Sequence, residues 1–350
     1  MTDGPSEHEL ETPAAPSLPR RLLAIPEVGI LIPLIVLVLF FYVRQPTFLD
    51  RENITTILRF MAFVGIIAIG ETLLIIVGEI DISVGSVAGL GSIIAAHLMA
   101  KAGWPIAASL GFALLMCALI GLLNGYIITR LGVPAFIATI GMLYMARGVK
   151  YLICGGFPIS RLPQWIKAFG AQEPLGTNWA FAIFIALVLV GDLILRRTVY
   201  GRALYATGGN IEVARLAGIN TFWIKMSAFI ACSLLSGLAG ILLMAQLQSG
   251  DTAIGDGWEL NVIAGVVVGG VSLLGGAGSL LGTLIGVTIV FVVPNGLVVI
   301  QVSTHWQTVA VGVVMILAVM VDMARRTGKL NLRRWLALAA QAPWLRRRAS

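Results

Sequence analysis

Charge is what this sequence has least of. Only 12% of its 350 residues are Asp, Glu, Lys or Arg, about half the share of a soluble domain. Between Glu259 and Asp322 none of these four occurs over 62 consecutive positions. A bilayer-spanning helix needs about 20 apolar residues, so that one run holds several crossings, and a water-soluble fold is excluded. Cysteine is almost absent too. Cys117, Cys154 and Cys232 each sit in an apolar tract, which excludes a disulfide framework and any CxxC-type metal spacing and leaves them as packing residues. Neither His97 nor His305 stands in a Ser, Asp or Cys constellation, so no hydrolytic centre is expected. No GxxxxGK[ST] phosphate loop occurs, so ATP is not bound by that route. No enzyme activity, metal or cofactor is expected of this chain.

Hydrophobic residues make up 58% of the sequence, and the mean hydropathy is +0.94. The tracts do not alternate in polarity as barrel strands do. The expected fold is all-α and polytopic, with about ten spans near 28–43, 54–77, 83–100, 104–129, 133–154, 178–195, 221–246, 259–275, 278–300 and 305–323. Residues 1–24, polar and Pro-rich, are expected to be a disordered tail. Residues 25–323 form the transmembrane domain, and 324–350 a basic tail suited to anionic headgroups. The formal net charge of +7 is spread between and beyond the spans, which sets orientation in the bilayer and argues against nucleic acid as a partner. Ten spans with a cytoplasmic N-terminus place sixteen of the 24 basic residues inside. Arg147, Lys150, Arg161 and Lys167 fit that topology badly.

Four stretches carry chemistry. In GEIDISVGS, Gly78 to Ser86, a glycine and two acids interrupt the oil. Gly78 is suited to ending one helix, and Asp81 or Ser83 to capping the next. A break at membrane depth is tolerated where it faces protein or a water-filled cavity; the acids either line such a cavity or cap a short helix near the interface. Glu71 lies two turns before Glu79, on the same face if the helix is continuous, and either faces water or pairs with Arg59 or Lys150. A second Gly-rich break spans Gly269 to Thr283. Paired breaks point to a transport site at a repeat interface, and small-residue spacing also serves helix packing. Asn124, Thr139 and Asn295 are uncharged polar groups at membrane depth, available to a solute's hydroxyls or to a neighbouring helix. Finally, Asn210 to Gly218 reads as a short amphipathic helix outside the bilayer: Asn210 as N-cap, Glu212 in the first turn, Arg215 a turn later, Gly218 as terminator.

Taken in order, GEIDISVGSVAGL, GLLNGYIITRLGVPAFIATIGMLYMARG, RRTVYGRALYATGGNIEVARLAGI and VVVGGVSLLGGAGSLLGTLIGV resemble the permease subunits of ribose-type bacterial ABC importers, over about residues 50–323. The resemblance implies a subunit of the bacterial inner membrane, both termini cytoplasmic, that moves a ribose- or xylose-like monosaccharide. It implies three partners besides the lipid bilayer: a separate ATP-binding cassette ATPase, a periplasmic sugar-binding protein, and a second permease copy, identical or paralogous. It maps the ATPase-coupling loop onto Gly201, Arg202, Gly208, Gly209, Asn210, Glu212, Ala214, Arg215 and Gly218. The substrate path is expected to involve Glu71, Glu79, Asp81, Ser83, Asn124, Thr139 and Asn295. Glu79 stands where the family commonly has a second glycine. The alternative function is an ion-coupled secondary transporter of a small polar solute, its acids carrying protons or sodium.

Overall fold

The computed structural model describes residues 26–303, apart from 174 and 175, and scattered positions from 305 to 320. After α1 (Pro26–Arg44) and a 3-10 turn at Pro46–Leu49 come α2 (Arg51–Ile76), α3 (Val84–Ala100), α4 (Ile106–Leu131), α5 (Ala135–Cys154), α6 (Gln164–Ala171) and α7 (Trp179–Arg197). Then follow α8 (Val199–Gly209), α9 (Ile211–Leu216), α10 (Thr221–Leu247), α11 (Trp258–Val268) and α12 (Leu280–Val299). Prolines 105, 134 and 163 stand immediately before α4, α5 and α6, where the missing N–H costs nothing and the fixed φ sets the direction of entry.

Seven of these helices are long and apolar enough to cross a bilayer. Their outer faces explain why they need one. Val36, Leu39 and Phe40 on α1, Leu119 and Leu122 on α4, and Leu189, Val190 and Leu193 on α7 are all exposed, an apolar belt that lipid covers at no cost. Inside the belt, α2 and α10 are buried over most of their length, with α3 packed beside α10. Glycine allows this closeness. A side chain at Gly121 would meet the Phe229–Ile230 backbone, and one at Gly240 the Ala88 backbone. Small residues of this kind let membrane helices approach to backbone contact.

The ends of the bundle differ in character. At one end Glu27, at the start of α1, accepts from Ser279 Oγ at 2.9 Å and pairs with Arg196 at 3.2 Å; Arg202, Arg215 and Lys225 lie toward this end. At the opposite end Asn53 and Asn295 exchange side-chain hydrogen bonds of 3.0 Å, joining α2 to α12. Asn178 donates to Gln246 there at 2.5 Å, and Arg59 pairs with Glu173. Helix α6 lies at that end, tied to α7 by Phe169 stacked on Trp179 at 5.8 Å.

The span expected at 259–275 is discontinuous. Helix α11 stops at Val268 after 11 residues, about 16 Å at 1.5 Å per residue, half of a bilayer core. Non-helical chain supplies the rest. Gly250 pairs with Ile159 near the opposite end, Ile254 and Gly255 reach the backbone of α3 at Gly89 and Gly85, and Trp258 stacks on Phe63 with centroids 6.4 Å apart. Phe63 is the midpoint of α2, so the helical half of this crossing begins at mid-depth. Every described residue between 305 and 320 is helical. The tails expected at 1–24 and 324–350 lie outside the described residues.

Candidate functional site

The first break is closed by backbone before any side chain acts. Gly78 N–H donates to Ile75 O at 3.0 Å and Glu79 N–H to Leu74 O at 2.9 Å, the paired bonds that end a helix on a left-handed residue; Gly78 supplies it at φ 83°. Helix α2 therefore ends at Ile76, and the expectation that Glu71 and Glu79 share a helix face fails. The chain folds back instead, and the Asp81 N–H donates to Glu71 Oε1 at 3.1 Å. Asp81 Oδ1 accepts from the Ser83 N–H at 2.8 Å and its hydroxyl at 2.5 Å. Asn124 on α4 donates to Asp81 Oδ2 at 3.3 Å and Ser83 Oγ at 3.2 Å. Cys232 on α10 donates its thiol to Glu71 at 3.5 Å, so it is more than packing. Ser83 occupies the N-cap position of α3 without a capping bond from its own side chain; it is Asp81 that holds the Ser83 N–H at the entry to the helix. Glu71, Asp81, Ser83 and Asn124 are fully buried, a closed polar knot tying α2, α3, α4 and α10 together.

Glu79 points elsewhere. Its carboxylate receives Lys225 Nζ at 2.5 Å, from the second turn of α10. The pair is mostly buried, with side-chain exposures of 14% and 17%. Lys225→Met strands the carboxylate, and breaking a fully buried pair costs 3–5 kcal/mol; with this residual exposure about 2 kcal/mol is expected, seen as a lower thermal midpoint in detergent. Glu79→Gln in the same background is expected to restore most of the loss.

The second break repeats the device. After α11, Gly270 N–H donates to Val267 O at 2.9 Å and Val271 N–H to Val266 O at 3.2 Å, with Gly270 at φ 79°. The two breaks meet. Gly276 N–H donates to Ile76 O at 2.8 Å, and the hydroxyls of Thr72 and Thr283 lie 2.7 Å apart.

Between Arg197 and Thr221 the chain makes two helices where one was expected. Thr198 caps α8 by accepting from Gly201 N–H. Asn210 caps α9, accepting from Glu212 and Val213 N–H at 3.0 and 3.1 Å. Gly218 at φ 80° follows α9, and Arg215 pairs with Glu212 at 3.2 Å. The elbow between the helices touches both breaks. A side chain at Gly208 would overlap Ile76 O and crowd Gly276 N at 2.8 Å, while Tyr205 OH donates to Gly278 O at 2.8 Å. On the outer side Val213 and Leu216 are exposed, Leu216 to 88%, although this end of the molecule lies beyond the apolar belt. Gly201 packs on the Leu195 carbonyl and Ala214 is buried; Arg202 and Gly209 are exposed.

The remaining expected groups lie apart from this junction. Thr139 donates to Ala135 O within α5, and Asn295 is held by Asn53. Arg59 and Lys150, candidate partners for Glu71, pair with Glu173 and Asp256 instead. A cavity of about 570 Å³ opens between α2 and α7 near Arg51 and Thr177, lined by none of the acids above. Lys225 and Asp256 were missed from the sequence. A signal for the second existed: Arg147 and Lys150, one turn apart in an apolar helix, are matched by Asp256 and Glu259 at the same spacing.

A bundle crossed by long apolar helices, with two glycine breaks pressed against a short helical elbow at the end that holds Glu27 and Arg196, defines a multi-pass membrane permease. The chain belongs to the family described as branched-chain amino acid transport system / permease component, which matches residues 53–319. It is 38% identical to the ribose import permease protein of Escherichia coli (strain K12), over 83% of this chain and 92% of that protein. Identity to the ribose import permease protein of Bacillus subtilis (strain 168) is 36%, over 85% of this chain and 92% of the relative. The xylose transport system permease protein of Escherichia coli (strain K12) is 30% identical, over 92% and 98%. No solved structure matches.

Proposed function

We propose that the chain is the transmembrane permease subunit of an ATP-binding cassette importer for a monosaccharide of the ribose or xylose class. The family's description names branched-chain amino acids, but relatives aligned over 83% and 92% of the chain carry ribose and xylose in their names, which favours a sugar. ATP hydrolysis is assigned to a separate subunit, delivery to a periplasmic sugar-binding protein, and the two-fold partner to a second permease copy. The end that holds the α8–α9 elbow is assigned to the cytoplasm, with both termini on that side of the inner membrane, because that orientation places sixteen of the 24 basic residues of the sequence inside.

One observation carries the mechanism: Gly208, at the elbow of α8 and α9, abuts Ile76 and Gly276, so any displacement of the elbow is felt at both breaks. Interfaces packed this tightly transmit rigid-body motion instead of absorbing it. The exposed Val213 and Leu216 give the ATPase an apolar foothold. Its closure on ATP pushes α9, and the breaks part. Glu71, Asp81, Ser83, Asn124 and, with Lys225, Glu79 then open to the path as its inner gate, closed on one another in the present conformation. Thr139 and Asn295 serve as helix contacts. The ion-coupled alternative would be favoured by uptake under an ion gradient with the chain alone in vesicles, without the ATPase.

The test is ATP-driven uptake of D-ribose and D-xylose by membranes holding the chain with its ATPase and binding protein. Arg215→Glu, at a side chain 57% exposed, is expected to leave the amount of folded chain unchanged and to cut uptake at least about tenfold, the loss of one charge-assisted contact and its replacement by repulsion. Uptake equal to the parent would remove α9 from the coupling.

A further inference from the structure

Charged groups that the proposed gate does not use lie within the bundle. Lys150 on α5 donates to Thr252 O at 2.7 Å and to Asp256 Oδ1 at 3.0 Å, and Arg147 Nε lies 3.7 Å from the same carboxylate oxygen. Trp258, two residues beyond Asp256, lies against the midpoint of α2 at Phe63, and Thr252 lies two residues from the Gly250–Ile159 pair near the opposite end, so the group sits between mid-depth and that end. Lys150 is completely buried, whereas Arg147 and Asp256 keep 31% and 38% of their side chains open. Lipid at that depth penalises open charge, and ionisable groups there face the protein interior or a water-filled cavity.

The surface around them suits a sugar. Tyr144 and Tyr151 lie three residues before and four after Arg147, hence on its side of the helix, and both are exposed; the Lys150 ammonium covers one face of the Tyr151 ring, 5.1 Å from its centroid, which leaves its other face and the Tyr144 ring to a solute. Between them a side chain at Gly148 would meet nothing within 4 Å, so the surface beside the guanidinium is open. Arg147 Nε is buried without a hydrogen-bond partner. A carboxylate accepts from two neighbouring hydroxyls, a guanidinium donates in a planar fork, and a tyrosine ring offers an apolar face to the C–H side of a sugar and a hydroxyl at its edge.

We infer that Arg147 and Asp256, flanked by Tyr144 and Tyr151, form the contact site for a polyhydroxylated solute in the translocation path, with Lys150 as the residue that positions Asp256. This inference rests on the importer reading and adds to it the place where the sugar is held, on α5 and the extended half of the discontinuous span.

The test uses Gly148→Cys, whose new side chain enters open space, in membranes holding the full transporter; Cys117, Cys154 and Cys232 are buried. A charged, water-soluble thiol reagent is expected to label it, and saturating D-ribose or D-xylose to slow labelling severalfold. Arg147→Gln is expected to lower uptake about tenfold or more, the loss of one charge-assisted hydrogen bond, while ATP hydrolysis by the assembled transporter persists. Labelling only by a membrane-soluble reagent would mean a lipid-facing surface and would overturn the inference. A disulfide between two copies without labelling would make the face a copy-to-copy contact, and labelling that neither sugar slows would leave water but no solute; each overturns it, as does unchanged uptake by Arg147→Gln. Absence of ATP-driven uptake of either sugar by the unaltered chain instead counts against the importer reading, and labelling of the Gly148→Cys variant still reports whether α5 faces water.

Discussion

Gly208→Val abolishes transport, with uptake falling to background while α9 and its exposed residues remain available to the ATPase. The reason is steric. A Cβ at this position overlaps the Ile76 carbonyl and crowds the Gly276 amide, and those two groups are themselves joined by a 2.8 Å hydrogen bond. None of these atoms belongs to a flexible side chain that could swing aside, so the elbow must move off both breaks. Overpacking in a core usually costs 1–3 kcal/mol; here the cost is expected at the upper end, about 3 kcal/mol, because backbone meets backbone. Gly209→Ala is the matched control. A side chain there meets nothing within 4 Å, and near-normal uptake is expected from it. Comparing the two separates the loss of contact with the breaks from the loss of helical flexibility, which both substitutions reduce.

Lys150→Met has the largest expected effect on stability. Its ammonium is fully buried and bonded to Thr252 O and Asp256, so its removal leaves a carboxylate and a carbonyl within the bundle with one donor fewer. Stranding one member of a buried ion pair costs 3–5 kcal/mol, and since Asp256 keeps some exposure and Arg147 nearby, about 3 kcal/mol is expected. In detergent this reads as a fall in the thermal midpoint and faster aggregation. Adding Asp256→Leu together with Arg147→Leu should recover most of the stability, because replacing all members of such a cluster by apolar groups is often neutral or better, whereas Asp256→Leu alone leaves Arg147 without its carboxylate. Uptake should not recover, since Asp256 is assigned to the sugar.

Much of this was legible in residues 50–300, for identifiable reasons. The first break could be placed because Gly78 is followed by two acids, and no continuous membrane helix accommodates that combination. The bounds of α9 could be placed because Asn210 and Gly218 act locally, through their own side chain and backbone angle. The destinations of the acids could not. Whether Glu79 continues the face of Glu71 depends on one left-handed residue between them, and once the helix ends at Ile76 the partner becomes Lys225, distant in sequence by 146 positions. The length of α11 was hidden for a similar reason. The composition of residues 269–275 suits a helix as well as a turn, and the turn prevails because Gly269 packs on the Gly282 carbonyl, a contact between separate elements. Arg147 and Lys150 looked like flaws in the topology until the discontinuous span brought Asp256 to them.

The proposed place of the α8–α9 elbow, on the cytoplasmic side and in contact with the ATPase, is probed most directly by Leu216→Cys. That side chain is 88% exposed at the tip of α9, so the substitution should leave the fold intact. In inside-out vesicles an impermeant thiol reagent is expected to label it rapidly, and assembly with the ATPase to shield it; intact spheroplasts should leave it untouched. Rapid labelling from the periplasmic face, or labelling indifferent to the ATPase, would contradict the account.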